Sequence, residues 1–311
     1  MMTSEELNAH IADGTINDVI RVAEAKQVKC LSRIADEICF NPDVRLVLVT
    51  GASAAGKTTT AKRICTQLMV NGRPAALHLS TDDYFVGDEL NPRDENGELD
   101  YEHVECVDIA RLAADVNALL AGESIPRRRF DFVRHAPYYT DEFVSLPKGG
   151  MIVLEGIHAL NPRMTEGIGD RMKFRVFIEP RPTLDVFGEK AALTSADARF
   201  LRRMVRDNQF RKRNPAETIK LWPKVLAGEK KWIEPFRCNA DAVFNTYLVY
   251  ELAALKFYAG GLLARAHREL GDIPELKSMI RQMIAVNPIS PDAIPGDSIL
   301  RETIGGSQLE Y

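Results

Sequence analysis

Apolar positions recur with helical spacing over residues 1–43. Leu7, Ile11, Ile16, Val19, Ile20 and Val22 form a loosely periodic set interrupted by Gly14, and Leu31, Ile34, Ala35 and Ile38 follow at i, i+3, i+4 and i+7. Asn41-Pro42-Asp43 ends this helical region. The pattern then changes. Residues 44–50 are a short Val- and Leu-rich run broken by Arg45, and similar runs occupy residues 75–79, 151–154, 174–178 and 242–244. Such runs suit strands buried on both faces of a parallel sheet. Helical patterns lie between several of them. In the clearest, Ala61, Ile64, Cys65, Leu68 and Met69 share one face and Asn71-Gly72 supplies a stop. The alternation predicts an α/β fold, a mostly parallel, doubly wound sheet with helices on both faces.

Residues 85–100 and 134–150 are polar, contain Pro and Gly, and read as loops. Residues 288–311 carry Pro288, Pro291, Pro295 and Gly305-Gly306, and read as an extended tail draped on the domain or partly mobile. The 311 residues suffice for one large domain or two small ones. A composition 45% hydrophobic and 27% charged excludes disorder throughout. A net charge of −4 argues against a general polyanion binder, so no nucleic-acid partner is expected. The cysteines, Cys30, Cys39, Cys65, Cys106 and Cys238, are odd in number and none stands at C-x-x-C spacing, which argues against a disulfide framework or a zinc site. Glu5, Glu6 and Asp13 stand where a signal peptide needs a basic start, and no apolar run approaches the ~20 residues of a membrane span. A cytoplasmic protein with reduced thiols and no membrane partner is the expectation.

One segment carries specific chemistry. Gly51, Ala52, Ser53, Ala54, Ala55, Gly56, Lys57 and Thr58 fit G-x-x-x-x-G-K-[ST] at every fixed position, after a predicted strand and before an amphipathic helix. Gly51 and Gly56 permit positive φ, which turns successive backbone N–H groups inward as an anion nest. The helix that follows, through Thr59, aims its positive end at the same phosphates. Lys57 is expected to reach the β- and γ-phosphates, and the Thr58 hydroxyl to ligate Mg²⁺. The motif predicts nucleotide binding without naming the reaction, because switch GTPases, motors and small-molecule kinases share it.

Carboxylates end two further predicted strands. Ser80-Thr81-Asp82-Asp83-Tyr84-Phe85 follows the second, where ligands of open α/β sheets sit. Asp82 is the candidate base for an attacking hydroxyl and Asp83 the reserve, set against a plain capping role for the pair. Leu154-Glu155-Gly156 ends the third, and Glu155 is a candidate Mg²⁺ ligand beside Thr58. His158 reads as packing or a supporting partner. Residues 199–213 hold Arg199, Arg202, Arg203, Arg206, Arg211, Lys212 and Arg213 against the single acid Asp207. Thr194-Ser195-Ala196-Asp197 resembles a capping box that starts a helix here. Seven cations against one anion is too lopsided for a salt-bridged solvent face. A movable arginine lid over a triphosphate is the expectation, with a solvated charge run or an RNA-binding helix as alternatives.

Together these residues resemble the uridine kinase and phosphoribulokinase group of P-loop kinases over roughly residues 44–250. Asp82-Asp83-Tyr84-Phe85 resembles that family's Asp-Ser-Phe-Tyr block, which implies Asp82 as the catalytic Asp with Tyr84 and Phe85 beside the substrate. Tyr101-Glu102-His103-Val104-Glu105 is similar to its Phe-Asp-His-Pro-Asp segment, implying that Glu102, one methylene longer, grips ribose hydroxyls. Phe130-Asp131-Phe132-Val133-Arg134-His135 resembles the Tyr-Asp-Phe-x-x-His stretch of the base pocket, with Phe130 lacking the hydroxyl and His135 retained. Leu154-Glu155-Gly156-Ile157 matches the Glu-Gly-Ile motif, and the arginine run implies roles for Arg203, Arg206, Arg211 and Arg213. Residues 7–37 and 298–307 look like the ends of the kinase part of long bacterial uridine kinase-like nucleoside kinases.

The resemblance implies a helical extension at 1–43, a kinase domain at 44–250 with its lid near 194–216, and at 251–311 C-terminal helices and an extended tail packed on the kinase domain. It implies ATP and Mg²⁺, a cytoplasmic enzyme of nucleoside salvage, a small-molecule alcohol as partner and a homo-oligomer. The expected reaction is phosphorylation of the 5′-hydroxyl of uridine or cytidine. The alternatives are a kinase of another small alcohol, such as a sugar phosphate or pantothenate, and a nucleotide-dependent regulatory or RNA-binding protein.

Overall fold

A computed structural model describes residues 1–186 and 193–309 of the chain. Its strands are β1 (Leu46–Thr50), β2 (Ala76–Ser80), β3 (Ser124–Asp131), β4 (Ala136–Ser145), β5 (Met151–Glu155), β6 (Lys173–Glu179) and β7 (Ala242–Asn245). The helices are α1 (Ser4–Ala12), α2 (Ile16–Phe40), α3 (Lys57–Val70), α4 (Ile109–Ala121), α5 (Ser195–Phe210), α6 (Pro215–Trp232), α7 (Glu251–Leu270), α8 (Pro274–Ala285) and the single turn α9 (Arg301–Ile304).

The five apolar runs all become strands of one parallel sheet, in spatial order β2-β5-β1-β6-β7. Every residue of β1 and β5 is buried, as expected of strands covered on both faces. Alternate side chains separate the two covers. Val47, Val49, Val153 and Val176 face α2 and α3, while Leu46, Leu48, Ile152 and Leu154 face α4 and the β3 side. A third apolar cluster joins α1 and the start of α2 to α5, α7, α8 and residues 289–304. The register sets Ser80 opposite Glu155 and Glu155 opposite Val49, so the carboxyl ends of β2, β5 and β1 lie side by side. Among the described residues no helix is long and apolar enough to cross a membrane.

Two expected loops are differently built. Residues 134–150 contain β4, which pairs antiparallel with β3 and leaves Tyr138, Tyr139 and Phe143 about half or more exposed. The hairpin escapes a pattern reading because its second strand has no buried face, and Pro137 is tolerated on an edge. Within the expected tail, residues 288–309 form a turn at Pro291–Ala293 and the α9 turn, with Ile294, Ile299, Leu300 and Ile304 buried. The prolines shape that hook rather than dissolve it.

Candidate active site

The loop between β1 and α3 has the geometry of an anion cradle. Ala54 (φ 61°) and Gly56 (φ 92°) take the left-handed conformation that turns the chain inward. Sequence reasoning credits Gly51 with positive φ as well. Its role is different: a Cβ there would stand 2.4 Å from the Ile178 carbonyl oxygen, so only glycine fits between β1 and β6. Ala55 N donates to the Ala52 oxygen (3.1 Å), closing the turn, and Lys57 Nζ lies 3.4 Å from the same carbonyl. The first turn of α3 then presents Thr58 and Thr59.

Thr58 Oγ1 donates to Glu155 Oε1 at 2.9 Å, which joins the cradle to the end of β5. Burial raises the Glu155 pKa, the Asp82 charge raises it further, and Lys57 offsets part of this. His78 Nε2 stands 3.8 Å from the same oxygen, and burial holds that imidazole neutral near a pKa of about 4. A buried carboxylate beside a hydroxyl and short of positive charge fits a divalent cation. No group of three or more His, Cys, Asp or Glu forms a closed metal cage among the described residues. Mg²⁺ is a cation held through one or two protein oxygens, with phosphate and water completing its shell.

Asp82 and Asp83 follow β2 in a short 3-10 turn, and Ser80 Oγ caps the Asp82 N–H at 3.3 Å. Their side chains diverge. Asp83 is bound by Arg129 Nη1 at 2.9 Å. The Asp82 carboxylate has no hydrogen-bond partner among the described residues, yet it acts electrostatically on Glu155, Glu102 and Arg211. Tyr84 is buried and its hydroxyl donates to Asp115 at 3.0 Å, so it braces α4.

Glu102 sits against α6, where a Cβ on Gly228 would stand 2.4 Å from the Glu102 Cβ. Burial pushes its pKa up to about 7 against the pull of Arg203 and Lys57. Phe85, Phe130 and Phe132 form an edge-to-face aromatic group with centroids 5.2–6.3 Å apart. His135 is a left-handed residue (φ 52°) whose Nδ1 lies 2.8 Å from the Tyr101 hydroxyl, which in turn donates to Asp88 at 2.5 Å. Sequence reasoning quoted Tyr101 and passed over Asp88; nothing in their local spacing marks the pair.

The arginine run is not a uniformly exposed face. Arg199, Arg202 and Arg203 are buried. Arg199 pairs with Glu229 and Arg202 with Glu251, each at 2.6 Å, and Arg202 Nη1 also donates to the Ala55 oxygen of the cradle at 3.2 Å. The count of seven cations to one anion missed these acids because they lie on α6 and α7. The other four arginines surround Asp207, which is completely buried: Arg203 at 3.4 Å, Arg206 at 2.8 Å, Arg211 at 3.6 Å and Arg213 at 3.5 Å. Burial opposes the Asp207 charge, but Arg206, Arg211 and Arg203 outweigh it and hold the carboxyl below the usual range. Arg203 Nη1 donates to Ser53 Oγ at 2.7 Å, so the cluster touches the cradle. Arg206 and burial press Arg211 down to about 10, the signature of crowded positive charge that an added anion relieves.

Residues 46–252 match the Phosphoribulokinase / Uridine kinase family. A uridine kinase of Deinococcus deserti is 30% identical over 196 residues, covering 63% of this chain and 84% of the relative. A uridine kinase of Halobacterium salinarum is 30% identical over 196 residues, covering 63% and 77%. A crystal structure of a candidate fructose transport system kinase from Silicibacter sp. TM1040 has the same fold, with a TM-score of 0.51 and 20% identity over 68% of this chain and 98% of that one. The chain belongs to the phosphoribulokinase/uridine kinase family and is an ATP-dependent small-molecule kinase.

Proposed function

We propose that the enzyme transfers the γ-phosphoryl group of ATP to the 5′-hydroxyl of a pyrimidine nucleoside, with Mg²⁺ required. The observation that carries this reading is the uncommitted Asp82 carboxylate beside the Thr58–Glu155 pair, with its neighbour Asp83 neutralised by Arg129. Asp82 accepts the proton of the attacking hydroxyl as its oxygen bonds to the γ-phosphorus. The bond from that phosphorus to the bridging oxygen breaks and ADP leaves. Thr58 and Glu155 are the residues that would hold Mg²⁺, which when bound neutralises β- and γ-oxygen charge. Lys57, Arg203, Arg206, Arg211 and Arg213 supply further positive charge where it develops. Glu102 grips the sugar, and His135 with the Phe85 and Phe130 rings meets the base. The names of the two relatives support a nucleoside acceptor.

A second reading, another small alcohol as acceptor, draws support from Phe130, whose ring is packed on Phe85 and offers a base no hydroxyl. Replacing Asp82 with Asn tests the shared chemistry. Turnover is expected to fall about 10²- to 10⁴-fold, the usual worth of a general base, while ATP affinity changes little. Full turnover in the variant removes Asp82 from the mechanism.

A further inference from the structure

The C-terminal hook, outside the residues matched to the family, ends on the nucleotide cradle. Ile299 covers Gly56 so closely that a Cβ there would stand 2.4 Å from its Cδ1. Glu302, on α9, accepts from Thr59 Oγ1 at 2.9 Å and from the Thr59 N–H at 3.5 Å. Thr59 is completely buried as a result of this cover and its own packing. Arg301 ties the hook into one unit: its guanidinium donates to the carbonyls of Pro291, Ile294, Pro295 and Gly305. Ala54 and Arg206 face Ile299 and Thr303 across a narrow crevice between the loop and the hook.

The chemistry of this contact is that of an anion on a helix N-terminus. The Thr59 N–H and hydroxyl, in the first turn of α3, are donors that a phosphate uses in a loop of this type. Here a carboxylate of the same chain uses them. A phosphate brought to the same turn meets a fixed negative charge and competes for the same N–H and O–H.

We propose that Glu302 is a determinant of nucleotide affinity: its carboxylate occupies part of the anion site of α3, and bound nucleotide displaces it. Ile299 couples the two events, because any shift of the loop at Gly56 moves its side chain. Residues 299–304 then form a latch that is closed without nucleotide and loosened with it. The inference rests on the ATP site and is independent of which alcohol is phosphorylated.

The test is titration of the purified full chain with Mg·ADP. Glu302→Gln keeps the acceptor oxygen for Thr59 and removes the charge, so ADP is expected to bind about 3- to 10-fold more tightly than to the wild type. Glu302→Asp keeps the charge and is expected to bind ADP no more tightly than the wild type. Unchanged or weaker binding by Glu302→Gln overturns the proposal, as does equal tightening by both variants, which would make loosening rather than charge the cause. Amide hydrogen exchange on the wild-type protein gives a second reading that does not depend on a variant folding. The Thr303, Ile304 and Gly305 amides, bonded within the hook, are expected to exchange faster when ADP is added. Slower exchange there means the hook closes on nucleotide instead, and contradicts displacement.

Discussion

Two adjacent carboxylates end β2, and their surroundings give them different work. Asp83 is held by Arg129 at 2.9 Å, while the Asp82 carboxylate has no hydrogen-bond partner among the described residues and acts electrostatically on Glu155 and Arg211. Position at the strand end ranked Asp82 ahead of Asp83, but the physical difference between them was not legible, because Arg129 reaches Asp83 across 46 residues. The phosphate loop, by contrast, was legible residue by residue, since its chemistry is local: backbone N–H groups, one Lys and one Thr within eight positions. Even there the reason for Gly51 lay in Ile178, on another strand. Glu102 gives the residue-scale prediction. Burial raises its pKa from 4.5 to about 7, so the folded protein favours its protonated form. That contribution to stability is complete below about pH 4.5 and is lost as pH rises through about 7. Urea unfolding of the unliganded protein is expected to show a loss on the order of 2 kcal/mol from this group between pH 5 and 8, after allowing for its partial exposure. Glu102→Gln is expected to flatten that slope; a slope unchanged in the variant refutes the assignment.

At the scale of elements, α5 connects the cradle to the helical layer. Its Leu201, Met204 and Val205 are buried in the core, so its arginines meet the loop from a docked helix. Arg202 is the main tie, joining Glu251 on α7, the Thr246 oxygen and the Ala55 oxygen. Breaking a buried pair by removing one partner strands the other charge, which typically costs about 3–5 kcal/mol. Arg202→Ala is therefore expected to lower the unfolding free energy measured in urea by that much, with Arg206→Ala, on the more open side of the cluster, costing far less. Equal costs would mean that Arg202 is no tie. The elements themselves divide by how they advertise burial. The central strands β1 and β5 were legible because both faces are covered, and α5 because Thr194 and Asp197 form its capping box. The β3–β4 hairpin was not, since β4 buries no face, and neither was α9, a single turn made by the hook it belongs to.

The whole molecule places a phosphate cradle, a free carboxylate and a Thr–Glu pair at the carboxyl ends of three neighbouring strands, β1, β2 and β5. Ligands of open parallel sheets collect at that edge. The chain's two ends also meet: α1 and residues 289–304 share one apolar cluster with α5, and the Tyr250 hydroxyl donates to Glu24 at 2.6 Å across it. The family match ends at residue 252, and the segment beyond it brings Ile299 and Glu302 against the loop between β1 and α3 and the first turn of α3. Sequence reasoning saw the cradle and the acids but not this closure, because a hook of Pro and Gly carries no periodicity. The central claim is transfer of phosphoryl to a nucleoside hydroxyl, and its most direct test is ADP release from Mg·ATP against uridine, cytidine, adenosine, ribulose 5-phosphate, pantothenate and no acceptor. Uridine and cytidine are expected to stimulate release strongly above the acceptor-free rate, and the others weakly. Stimulation by a non-nucleoside alcohol with none by either pyrimidine nucleoside would contradict the claim.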